Sequence, residues 1–125
     1  MKSYEIIIFD LDGVIIDQSE GITKCVKYSL SKFKIHEKSK SKLLRFIGPT
    51  LKESFMKFYL FDEKKALKAV SYYREKYFKS EICNYQVYKG VKNMLVSLKD
   101  KGKKIIIATT KPKNSAEIIL KHANL

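Results

Sequence analysis

The apolar run Ile6-Ile7-Ile8 leads through Phe9 into Asp10-Leu11-Asp12-Gly13-Val14. An unbroken β-branched run predicts a strand buried on both faces, the usual state of a strand inside a parallel sheet. The run ends at two carboxylates spaced i, i+2 and then a glycine. Ligands of open parallel sheets bind just beyond the carboxyl ends of the strands, which is where Asp10 and Asp12 fall. Two like charges held this close raise each other's proton affinity, and a bound cation or a shared proton relieves the strain. The pair therefore suits metal binding, nucleophilic attack and acid/base work better than it suits stability. Asp-Gly is also an ordinary turn signal, and on these residues alone both alternatives stay open.

A second apolar run, Ile105-Ile106-Ile107-Ala108, predicts another buried strand, ending in Thr109-Thr110-Lys111-Pro112, residues able to handle an anion. Before it, Val91, Met94, Leu95 and Leu98 mark the buried side of a helix over 90–101, with Gly102 at the αL position that closes it. After it, Asn114-x-x-Glu117 is expected to open a last helix through Ile118, Ile119 and Leu120. Between the two strand regions the pattern is helical, with no strand expected from Asp17 to about Tyr88. Ser19 is a candidate cap for a helix carrying Ile22, Cys25, Val26, Ser29, Leu30 and Phe33. Thr50-x-x-Glu53 reads as a capping box, and Asp62 as the cap of a helix with Ala66, Ala69, Val70, Tyr73 and Tyr77 on one face. The expected organisation is an incomplete α/β core over 1–16 and 89–125, with a helical insertion over 17–88. A right-handed crossover sets the two strands parallel. As neighbours they bring Asp10, Asp12 and Thr109 to one crevice.

Composition narrows the partners. The formal net charge is +13, from 26 Lys and Arg against 13 Asp and Glu. A basic surface attracts polyanions. Here, however, the lysines are spread along the chain, and Arg45 and Arg74 are its only arginines, the residue type preferred for bidentate phosphate and base recognition. The charge fits solubility and attraction of small anionic substrates better than nucleic acid. Cys25 and Cys83 have no neighbouring His or Cys, so each is expected to be a small hydrophobe in a reducing compartment. With no export signal in Met1-Lys2-Ser3-Tyr4-Glu5 and no apolar run of membrane-spanning length, the expected location is the cytoplasm. The lysine-rich stretch 38–42 is expected to be a solvated face, as are His36 and His122.

Phe9-Asp10-Leu11-Asp12-Gly13-Val14 followed by Asp17 resembles the first motif of haloacid dehalogenase-superfamily phosphatases, and Ile106-Ile107-Ala108-Thr109-Thr110-Lys111-Pro112 resembles their second. Gly48-Pro49-Thr50-Leu51-Lys52-Glu53-Ser54-Phe55 is similar to a cap segment of the phosphoglycolate phosphatase and pyrophosphatase branch, as is Tyr88-x-Gly90-Val91. The resemblance implies a Rossmann-like parallel core with an inserted helical cap. It implies a Mg2+-dependent phosphatase of a small phosphorylated metabolite. In that scheme Asp10 is the nucleophile that forms an aspartyl phosphate and Asp12 the general acid and base. The Asp10 carboxylate and the Asp12 backbone carbonyl hold Mg2+. Thr109, with backbone amides around Gly13 and Thr110, holds the phosphoryl group. Gly48, Pro49 and Thr50 form a candidate contact to the leaving group, or else a plain helix connection. Lys111 is read as part of the turn, with neutralisation of phosphate as the alternative.

The same resemblance calls for a later lysine and a later acidic pair, and only one helix follows Thr109. The chain is accordingly expected to be an N-terminal portion whose isolated activity is doubtful. Its bare sheet edge is expected to favour self-association or association with the remaining part of the core. The alternative is a catalytically inactive remnant that serves as a binding module.

Overall fold

The computed structural model describes residues 5–125; residues 1–4, read above as carrying no export signal, lie outside them. In chain order the elements are β1 (Ile6–Asp10), β2 (Ile16–Asp17), α1 (Ser19–Ser31), α2 (Lys40–Leu44), α3 (Leu51–Tyr59), α4 (Glu63–Lys76), a π-helical turn (Tyr77–Glu81), β3 (Gln86–Val87), α5 (Val91–Asp100), β4 (Lys104–Ala108) and α6 (Lys113–His122). They fall into two compact units, one of the N-terminal segment through Asp17 with Gln86–Leu125, the other Gln18–Tyr85.

In the first unit β1 and β4 pair in parallel, in a register running from Ile6 opposite Lys104 to Asp10 opposite Ala108. Partners in a parallel register share a face, and successive residues alternate between faces. Ile7, Phe9, Ile105 and Ile107 are half-buried on one face. On the other, Ile6 and Ile8 are 52% and 63% exposed and Ile106 is 38% exposed. The expectation of strands buried on both faces is thus corrected. The isoleucines of the second face stay largely at the surface. α5 packs along β4 and buries Val91, whereas Met94, expected inside, is 38% exposed. Gly102 adopts φ +74° just after α5, the left-handed conformation that glycine takes without strain.

A second, short antiparallel pairing sets Ile16 opposite Val87 and Asp17 opposite Gln86. β3 lies within the stretch where no strand was expected, and β2 straddles the start of that stretch at Asp17. Two residues are too few to carry a period-2 pattern, which is why the sequence hides them. They assign Asp17 and residues 86–88 to the sheet unit.

The second unit is helical. Its core joins Ile22, Cys25, Val26 and Leu30 of α1 to Leu43 of α2, then Phe46, Phe55 of α3 and Phe61. Ala66, Ala69, Val70 and Tyr73 of α4 and Tyr77 complete it. The Phe55 ring lies 5.0 Å from Phe46 and 5.9 Å from Phe61, centroid to centroid. Gly21 allows α1 to approach the chain closely. A Cβ there would stand 2.9 Å from the Asn84 carbonyl oxygen and 3.2 Å from that of Glu81. Gln18, 2% exposed, donates through Nε2 to the carbonyls of Glu81 and Ile82 and accepts from the Tyr77 hydroxyl.

Several local expectations need amendment. Ser19 lies inside α1, whose cap position is Gln18. Thr50 stands at the cap position of α3 but its side chain makes no capping hydrogen bond, so the capping box is not formed. Asn114 lies within α6, which is capped at Pro112. Asp62 does cap α4, accepting from the Lys65 amide at 2.7 Å. Cys25 is buried as expected, but Cys83 is exposed.

Candidate active site at the ends of β1 and β4

The parallel register ends at Asp10 and Ala108, so the residues that leave the sheet next are Leu11 to Gly13 on one strand and Thr109 to Lys111 on the other. The β1 end is held by its own backbone. Leu11 is fully buried, and its carbonyl accepts from the amides of Ile15 and Ile16, each at 3.0 Å. Gly13 turns the chain at φ +82° and donates its N–H to the Ile16 carbonyl at 2.9 Å. A phosphate claiming the Gly13 amide has to displace that bond.

Asp10 is exposed at the strand tip, and its Oδ1 accepts from the Leu11 amide at 2.8 Å. Asp12 differs sharply: its side chain is 9% exposed, and Oδ2 lies 3.3 Å from Lys111 Nζ, itself on a side chain 10% exposed. The other oxygen, Oδ1, is buried with no hydrogen-bond partner among the described residues. Burial pushes the Asp12 carboxyl above the ordinary carboxylate range. The charge and hydrogen bond of Lys111 act against that push, and the nearby Asp10 charge adds to it.

On the β4 side the Lys111 amide donates to Thr109 Oγ1 at 3.1 Å. That bond uses a lone pair of the hydroxyl and leaves its proton available to an acceptor. Thr110 is exposed in the same turn. Asp10, Asp12, Gly13, Thr109 and Thr110 therefore all belong to the sheet unit, at adjacent strand ends. Gly48, Pro49 and Thr50 belong to the helical unit and are exposed there.

Lys111 is the residue whose contact the sequence did not give. A lysine two places after a strand-end threonine reads as turn composition. The available signal was its distance along the turn, which lets a long side chain fold back over the neighbouring strand end.

Among the described residues no group of three or more His, Cys, Asp or Glu side chains is placed to hold a metal ion. What the strand end offers a hard cation is one carboxylate, Asp10, and the main-chain carbonyl of Asp12. Both are oxygen donors of the kind Mg2+ takes, and they would hold it together with oxygens of substrate phosphate and water.

The profile of the haloacid dehalogenase-like hydrolases matches residues 7–125. A 5'-nucleotidase of Pseudomonas aeruginosa is 39% identical over 119 residues, 95% of this chain and 54% of that protein. The pyrophosphatase PpaX of Bacillus cereus is 30% identical over the same length and with the same shares. Among solved structures, a predicted phosphatase from Clostridium acetobutylicum superposes with a TM-score of 0.95 at 45% identity, covering 99% of this chain and 57% of that one. The chain thus spans about half the length of the relatives it matches.

Proposed function

The chain belongs to the haloacid dehalogenase-like hydrolases, and on that premise we propose that it is the part of a Mg2+-dependent, cytoplasmic phosphatase that carries the nucleophile and the general acid. The observation that carries this reading is the register of β1 and β4. It ends with Asp10 opposite Ala108, so the chains that carry Asp12 and Thr109 leave the sheet at the same end, and this supports a shared site.

In the proposed reaction an oxygen of the Asp10 carboxylate attacks phosphorus and forms an acyl phosphate as the bond to the leaving oxygen breaks. Asp12, its carboxyl raised by burial, gives its proton to that oxygen. In the second half-reaction Asp12 takes a proton from water, whose oxygen attacks the same phosphorus. Inorganic phosphate leaves and the Asp10 carboxylate is restored. The Thr109 hydroxyl donates to a phosphoryl oxygen as charge builds there. Asp10 and the Asp12 carbonyl would hold Mg2+, which supplies charge neutralisation when bound. Gly48, Pro49 and Thr50 of the helical unit are the proposed contacts to the leaving group. The names borne by the relatives, 5'-nucleotidase and pyrophosphatase, support a small phosphate ester or anhydride as substrate.

One observation favours a second reading, an inactive module that binds through its sheet: Ile6, Ile8 and Ile106 form an uncovered apolar face. Phosphate release from a nucleoside 5'-monophosphate, pyrophosphate and 4-nitrophenyl phosphate, with and without Mg2+, separates the two. Release that depends on Mg2+ and disappears in Asp10→Asn supports the phosphatase. No release by a protein that carries the remaining part of the fold supports the module.

A further inference from the structure

We propose that Lys111 is a positioning residue that fixes the Asp12 carboxylate through Oδ2 and thereby assigns proton transfer to Oδ1. The role given to Asp12 rests on the phosphatase reading above; the grip itself does not.

Three observations carry it. Lys111 Nζ stands 3.3 Å from Oδ2, with nine-tenths of both side chains out of solvent. A charge-assisted contact under such cover is stronger than its surface counterpart and holds one geometry. The backbone from which Lys111 reaches is itself pinned, because its amide donates to Thr109 Oγ1. Third, Asp12 Oδ1 is buried and has no partner among the described residues. A buried polar atom left in that state costs free energy and calls for a use. With Oδ2 held by a cation, rotation of the carboxylate is arrested, and its two oxygens cease to be equivalent. Oδ1 alone is then left to bond the leaving oxygen or the attacking water. Lys111 is thus distinct from a lysine that neutralises the phosphoryl group directly. Its target is a carboxylate, and its effect should follow the leaving group's need for a proton.

The test has one arm that needs no turnover. In the chain labelled with 13C at aspartate Cγ, Lys111→Met should move the Asp12 carboxyl signal and Lys111→Arg should restore it. Lys111→Gln is run alongside, so that a folding defect in one variant leaves a second to read. An Asp12 signal indifferent to loss of the lysine overturns the proposal. In the second arm, 4-nitrophenyl phosphate, whose leaving group departs without a proton, is compared with an alkyl ester, glycerol phosphate. Lys111→Met should lower kcat on the alkyl ester at least about tenfold more than on the aryl ester. Equal losses, or a change confined to KM, overturn it. If a protein that carries the remaining part of the fold turns over neither ester, the phosphatase reading fails by itself, and the carboxyl signal decides whether Lys111 holds Asp12.

Discussion

Asp10 and Ala108 are the last register partners of the parallel pair β1 and β4. From that one relationship the layout of the candidate site follows, because the chain beyond each partner leaves the sheet at the same end. Asp12 follows on one side and Thr109 on the other, each one or two residues past the final backbone pairing.

Removing the hydroxyl beside this pairing should cost rate. Thr109→Val loses the group assigned to the transferring phosphoryl oxygens and should lower kcat about 10²-fold. Thr109→Ser keeps the hydroxyl and should stay close to the parent. Steady-state phosphate release checks both.

Stability should depend on pH through Asp12. Its carboxyl is raised above the ordinary carboxylate range, chiefly by burial. A raised carboxyl favours the protonated form in the folded state. The associated stability is therefore complete below the unfolded value and is lost as pH rises through the folded one. Asp12→Asn has no such loss. The urea midpoint of the variant should accordingly gain on that of the parent as pH rises from below about 4 toward neutrality. A gap constant with pH contradicts the assignment.

In the helical unit Gln18→Leu removes the donor shared by the Glu81 and Ile82 carbonyls and the acceptor of the Tyr77 hydroxyl. The expected loss is about 1–3 kcal/mol, the cost of buried polar groups deprived of a partner. Urea denaturation followed by far-ultraviolet dichroism reports it.

Gly21→Ala should destabilise the same unit by about 1–3 kcal/mol through overpacking. The new methyl group would meet two backbone oxygens, those of Asn84 and Glu81, and backbone yields less readily than a side chain. The midpoint of thermal unfolding checks it.

Much of this was legible in the sequence for physical reasons. Long apolar runs such as Ile6 to Phe9 and Ile105 to Ile107 have one good use, and both form the strands they predict. The period selects Ile22, Cys25, Val26, Ser29 and Leu30 of α1 and Ala66, Ala69, Val70 and Tyr73 of α4, and all are buried, whereas Phe33, counted with the first helix, lies beyond its end and is half-buried. What escaped was set by pairing and reach rather than by local pattern. The two-residue strands β2 and β3 exist through each other. The exposure of Ile6 and Ile8 depends on what packs over a face, which a run of isoleucines does not encode. The contact of Lys111 with Asp12 joins residues 99 positions apart in the chain. It depends on strand register and so is visible only once β1 and β4 are paired.

The proposed mechanism requires that Asp10 accept a phosphoryl group. Incubation with Mg2+ and acetyl phosphate, rapid acid quench and tandem mass spectrometry of the peptides test it directly. The expected result is a phosphoryl adduct on Asp10 that is absent from Asp10→Asn. An adduct on another residue, or none in a protein shown to release phosphate from its substrate, would contradict it.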